Sequence, residues 1–215
     1  MLKIFFLHGF LGDPTDWDQV ISHLPDFDCC ALSYPFNIPG KGVLIGYSMG
    51  GRIALPYPNP KILISSHPGL ISSQQKEERH LWEKKWLHLL ETSPFSVFLK
   101  AWYDQPLFSS LKKTKNFPAL FEKRLQLNQE MALHQFKTHP LSNQLFSIPQ
   151  NAHFLCGEED LKYLNLYTQL SLNPLIVPRS CHACHLEQPN HCASLIRCLL
   201  ERMRQLPRHQ VSQGK

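Results

Sequence analysis

No apolar run in the 215-residue sequence approaches the roughly 20 residues that a membrane-spanning helix requires, so no membrane span is expected. Charge is also sparse. Only 18% of residues are Asp, Glu, Lys or Arg against 43% hydrophobic residues, which excludes the low-hydrophobicity, high-charge composition of a disordered chain. The net charge of +5 is not massed in a block, because lysines and arginines are scattered through residues 76–123 and towards the end of the chain. That dispersion argues against a nucleic-acid partner and fits a small anionic substrate, which a few arginines can hold.

The seven cysteines do not form a disulfide framework for a chain of this size. Cys29 and Cys30 are adjacent, and Cys181, Cys184 and Cys192 crowd near the C-terminus. Reduced thiols in a cytoplasmic protein are the expectation. The apolar start Ile4-Phe5-Phe6-Leu7 runs into His8-Gly9-Phe10 without a small-residue cleavage site and reads as a buried strand.

Short apolar runs bounded by Gly or Pro recur at 4–7, 29–34, 43–46, 62–65, 153–156 and 175–177. Continuous apolar runs of this length suit strands of a parallel sheet buried on both faces. Helical patterning lies between them at 15–24, after Ser48, at 161–170 and at 189–205. Alternating strands and helices predict an α/β fold with helices on both faces of a mostly parallel sheet. Residues 72–144 carry helical spacing and no strand, so they are expected as a helical lid inserted between two strands. The core is then assigned to 1–71 and 145–206, with a frayed tail at 207–215.

The connection between the second and third runs is abnormally short. Only eight residues, Pro35 to Gly42, separate Tyr34 from Val43, whereas a parallel crossover normally takes a dozen or more and includes a helix. Extended at ~3.3 Å per residue they span roughly 26 Å, enough to run back along a strand and step past a neighbour. The helix after Ser48 is expected to be short as well, because Pro56, Pro58 and Pro60 follow closely.

The chemistry concentrates in a few strings. Gly46-Tyr47-Ser48-Met49-Gly50-Gly51-Arg52 follows an apolar strand and has the small-residue frame of a nucleophile elbow, a strained strand-to-helix turn that exposes a serine hydroxyl. Leu7-His8-Gly9-Phe10-Leu11-Gly12 supplies a loop after the first strand, so the backbone amides of Phe10 and Met49 are the expected oxyanion hole. Asp160 follows the fifth run as the expected acid. A histidine should come last, and both His182 and His185 qualify, with His182 closer to the strand end. Cys181-x-x-Cys184-His185 also matches a c-type haem attachment pattern, and His191 and Cys192 follow. The zinc spacings are not those of paired doublets, so neither metal nor cofactor is expected.

These strings together resemble the MenH-type 2-succinyl-6-hydroxy-2,4-cyclohexadiene-1-carboxylate synthases of menaquinone biosynthesis. His67-Pro68-Gly69-Leu70, Trp102-Tyr103-Asp104-Gln105-Pro106-Leu107-Phe108 and Cys156-Gly157-Glu158-Glu159-Asp160 are similar to that family's motifs and follow its order. The resemblance implies an α/β-hydrolase fold, a Ser48–His182–Asp160 triad, and substrate handling by Tyr47, Arg52, Arg79, Trp102 and Arg124. It implies a cofactor-free lyase reaction in which Ser48 acts as a base, pyruvate leaves a polycarboxylate substrate and the ring gains a double bond.

Two other readings share the same residues. A carboxylesterase or thioesterase would use Ser48 as an acyl nucleophile, and a non-catalytic hydrolase-fold binding protein would not need the three side chains in register. The chain departs from the family pattern in the segment before Ser48, where a Gly-His-Gly string and a full helix are missing. A bare apolar sheet face covered by rearranged lid helices or a second copy is the expected consequence.

Overall fold

The computed structural model describes residues 2–205, so the expected frayed tail lies outside the described residues. Each of the six apolar runs forms a strand: β1 (Lys3–Leu7), β2 (Asp28–Leu32), β3 (Val43–Tyr47), β4 (Lys61–Ile64), β5 (Ala152–Gly157) and β6 (Leu175–Val177). They make one sheet in the order β2-β1-β3-β4-β5-β6, with every pairing parallel. No described helix is long and apolar enough to cross a membrane.

The α-helices follow in chain order as α1 (Asp18–Ser22), α2 (Met49–Ala54), α3 (Ser73–Thr92), α4 (Phe95–Tyr103), α5 (Ser109–Lys112), α6 (Phe117–Leu125), α7 (Gln129–Thr138), α8 (Leu161–Gln169), α9 (Cys184–Glu187) and α10 (Pro189–Gln205). Alternation along each strand sends side chains to opposite faces. Ile4, Phe6, Val43 and Ile45 therefore pack with Val20 and Leu24 and with Ile196, Leu199 and Leu200 of α10. Phe5, Leu7, Leu44 and Leu63 pack on the other face with Ala54, Leu55, Tyr163 and Tyr167.

Helices α3 to α7 lie between β4 and β5 without an intervening strand. The insertion begins with a capping box in which Ser72 accepts from the Gln75 amide and Gln75 reaches back to the Ser72 amide. Phe98 and Leu99 of α4 are fully buried in the same cluster as the strands, so the insertion shares the core.

The crossover from β2 to β3 contains no helix, as its length requires, and passes over β1, which lies between the two strands. The sheet face beneath it is not bare. Phe36 and Ile38 of the crossover, with Ile53 and Tyr57 after the elbow, pack on the cluster that holds Phe5, Leu7 and Leu44. The extended segment places apolar side chains where a longer chain would place a helix, so neither the lid nor a second copy is required as cover. Asn59 fastens this segment by donating to the carbonyls of Pro39 (3.3 Å) and Gly42 (3.1 Å).

Candidate active site

Strand β3 ends at Tyr47, and the chain reverses sharply into α2 through Ser48 at φ 50°, ψ −109°. A non-glycine residue in that region carries strain. Two glycines make the turn possible. A Cβ on Gly50 would lie 2.4 Å from the Leu7 carbonyl oxygen, and one on Gly46 would lie 2.5 Å from the Cα of Gly51.

Asp160 closes β5 and caps α8, accepting from the Tyr163 amide at 3.3 Å. Its other oxygen lies 2.9 Å from Nδ1 of His182 in the loop after β6, and Nε2 of His182 lies 3.3 Å from the Ser48 hydroxyl. Asp160 and His182 are both buried. With the carboxylate accepting from Nδ1–H, Nε2 carries the lone pair that can take a proton from Ser48. The fold thus brings together the three side chains expected from sequence, and it separates the two histidines.

His185, three residues on, sits wholly buried between Tyr47 and Trp17, its ring tilted against theirs with centroids 4.2 Å and 4.5 Å away. Neither of its ring nitrogens has a hydrogen-bond partner among the described residues. Burial lowers its pKa to about 3, so it is a neutral packing group and His182 is the histidine that meets Ser48.

Above Ser48 lies a cavity of about 110 Å³, partly open to solvent and lined by elements of both the core and the insertion. Phe10, Ser48, Met49 and His182 form part of its wall, and the amides of Phe10 and Met49 have no protein acceptor among the described residues. That pair of free donors beside the serine is what a developing oxyanion needs. Tyr47 contributes to the wall and its ring packs at the place a Gly9 Cβ would occupy, 2.7 Å away, which explains the glycine.

Arg52, Arg79 and Trp102 line the same cavity. Arg52 donates to the His139 carbonyl (2.9 Å) and to Gln144 Oε1 (3.2 Å), and burial lowers its pKa to about 10. Arg79 lies over the Trp82 ring at 4.0 Å and its Nε donates to Glu83 at 2.8 Å. Trp102 meets Phe10 edge-on at 4.9 Å, which couples the insertion to the loop after β1.

Arg124 is not brought to this cavity. It is buried behind the loop after β1, where Nη2 contacts both oxygens of Asp16 at 2.7 and 2.6 Å and Nη1 contacts Asp13 at 3.2 Å. Burial works against its charge, but Asp16 and Tyr103 more than offset it, and the pKa moves up. Two carboxylates in the turn Asp13–Asp16 consume the guanidinium, which corrects the substrate-handling role expected for it.

The cavity also holds residues that the sequence reading passed over: His67, Trp82, Glu83, Gln135, His139 and Lys162. His67 accepts at Nδ1 from the Gly69 amide (3.1 Å), which leaves its proton on Nε2. Burial, then Lys162 and the arginines, lowers its pKa to about 4, so it is neutral. A usable signal existed for two of these, since His67 stands in a string already singled out and Lys162 follows the acid by two positions. The seven cysteines are all unpaired, and no three metal-ligating side chains cluster among the described residues.

No protein-family model matches the chain. Among solved structures, MenH from S. aureus superposes with a TM-score of 0.81 at 20% identity, covering 94% of each chain. An esterase from Exiguobacterium antarcticum gives 0.71 at 13% identity, covering 94% of this chain and 92% of that one. The chain has the α/β-hydrolase fold. By sequence it is similar to 2-succinyl-6-hydroxy-2,4-cyclohexadiene-1-carboxylate synthases. A provisionally named one from Haemophilus influenzae is 29% identical over 250 residues, covering 95% of this hydrolase-fold chain and 100% of its own. Another from an Enterobacter species is 28% identical over 239 residues, covering 94% and 91%. Both matches run over more positions than the 215 residues of this chain, so it is shorter than they are over the matched span.

Proposed function

We propose that this protein is a carbon–oxygen lyase that eliminates pyruvate from 2-succinyl-5-enolpyruvyl-6-hydroxy-3-cyclohexene-1-carboxylate to give 2-succinyl-6-hydroxy-2,4-cyclohexadiene-1-carboxylate. The observation that carries this reading is the coexistence, in one cavity, of a serine 3.3 Å from a histidine and two arginines that line the wall above it. The relatives' names point to the same product.

In this reading His182 Nε2 takes the Ser48 proton, and Asp160 stabilises the imidazolium that forms. The Ser48 oxygen removes the proton next to the succinyl ketone, and negative charge moves onto the ketone oxygen, where the Phe10 and Met49 amides receive it. The electron pair then returns to form the ring double bond as the carbon–oxygen bond to the enolpyruvyl group breaks. Protonated His182 restores the proton balance as the enol of pyruvate departs. Arg52 and Arg79 bind substrate carboxylates, Tyr47 and Trp102 shape the cavity, and the helical insertion acts as the lid. No cofactor enters any step.

Release of pyruvate from this substrate by wild type and Ser48→Ala tests the reading. A rate lowered by on the order of a thousandfold in the variant is expected. Equal rates in the two proteins refute the role of Ser48.

A further inference from the structure

Lys162 occupies the second position of α8, directly after the Asp160 cap and Leu161. The first turn of a helix favours anions, because the amide dipoles point their positive ends there. A lysine at this position therefore runs against the local field. Desolvation and then Arg79 lower its pKa, Asp160 works the other way, and Lys162 in turn contributes to holding His67 neutral. Among the described residues no carboxylate is close enough to pair with its ammonium.

The lining contains one carboxylate that could balance these charges, Glu83. It is already saturated, accepting from Arg79 (2.8 Å), the Leu141 amide (2.7 Å) and the Ser142 hydroxyl (2.6 Å). Arg52, Arg79 and Lys162 set against Glu83 alone thus leave the wall net positive. Lysines on exposed surfaces are ordinarily solvated and far from like charges. Lys162 is exposed too, but it stands at the cavity lining beside Arg79, a like charge that an arriving anion would offset.

Resting on the reaction proposed above, whose substrate carries three carboxylates, we propose that Lys162 is a substrate-binding residue. With Arg79 it forms a carboxylate subsite at the exposed edge of the cavity lining, distinct from the subsite of the more buried Arg52. The ammonium selects for polyanionic substrates and is separate from the proton-transfer machinery.

The test uses tricarballylate, a propane tricarboxylate, as a probe of the subsite, with binding read by the fluorescence of Trp82 and Trp102, which line the cavity. Lys162→Met is expected to weaken binding roughly tenfold, the effect of losing one charged hydrogen bond, and Lys162→Arg is expected to restore it. In the pyruvate assay Lys162→Met should raise KM by a similar factor and leave kcat within about twofold. Unfolding midpoints of the three proteins should agree within the range of surface substitutions. Wild-type affinity in Lys162→Met, or no binding by wild type, overturns the proposal. If wild type binds the probe through Lys162 but releases no pyruvate, the subsite stands and the proposed reaction fails.

Discussion

Arg79 Nε donates to Glu83 Oε1 at 2.8 Å one turn along α3, and the same carboxylate accepts from Leu141 and Ser142 at the far end of the insertion. One buried side chain therefore fixes both an arginine of the cavity wall and the exit of the lid. With Nε held by Glu83 and the guanidinium stacked on Trp82, the two terminal nitrogens of Arg79 remain available for a ligand. Such a fork recognises a carboxylate bidentately.

Replacing Glu83 tests that relationship. Glu83→Ala leaves the Leu141 amide and Ser142 without their acceptor in a buried place, and a loss of about 2 kcal/mol is expected in urea unfolding. KM for the polyanionic substrate should rise as well, because Arg79 is no longer held. An unchanged unfolding midpoint would contradict the account.

Arg124 is expected to matter for stability rather than for substrate. Arg124→Ala removes the main partner of the buried Asp16 carboxylate, leaving it Lys123 at 3.6 Å and the Asp13 amide, and should cost about 3 kcal/mol. KM measured on the folded fraction should stay near the wild-type value. A large rise in KM with unchanged stability would return Arg124 to the binding site.

His185 gives a pH prediction. In the unfolded chain a histidine titrates near 6.5, whereas the folded pKa is about 3. The unfolded state therefore binds more protons between these values, so the stability contribution is complete above about pH 6.5 and is lost as pH falls towards 3. The slope from this one group is at most about 1.4 kcal/mol per pH unit. His185→Leu removes it and two unpartnered nitrogens together, so the variant should unfold less readily than wild type at pH 5. Parallel stability–pH curves for the two proteins would refute this.

Backbone strain at Ser48 predicts an order among two inactive variants. Glycine accepts φ 50° without the Cβ penalty, while alanine keeps it. Ser48→Gly is expected to be more stable than Ser48→Ala by about 1 kcal/mol, after allowing for the greater chain entropy of glycine. Calorimetric midpoints in the reverse order would show that the elbow stores no strain.

What could be read from the sequence was whatever depends on near neighbours. The strand runs declared themselves by apolar continuity, the elbow by its glycines, and the missing crossover helix by the eight residues before Val43. Contacts between distant segments left no such trace. Arg124 and Asp16 are 108 positions apart, and nothing in the periodicity of α6 says that the guanidinium turns towards the loop after β1. His182 and His185 are equivalent in local pattern and part only when β6 aims the loop so that the first meets Ser48 and the second meets Trp17. Phe36 and Ile38 were present in the crossover, but their role as sheet cover depends on the path of the segment over β1.

The central claim is that Ser48 works as a base in an elimination, and a quenched single-turnover experiment on wild type tests it most directly. Pyruvate is quantified in the quenched mixture and the intact mass of the protein is recorded at the same time points. The account predicts one pyruvate released for each substrate consumed, with no mass added to the protein at any time. Substrate consumed without pyruvate, or an acyl adduct on Ser48, would contradict it.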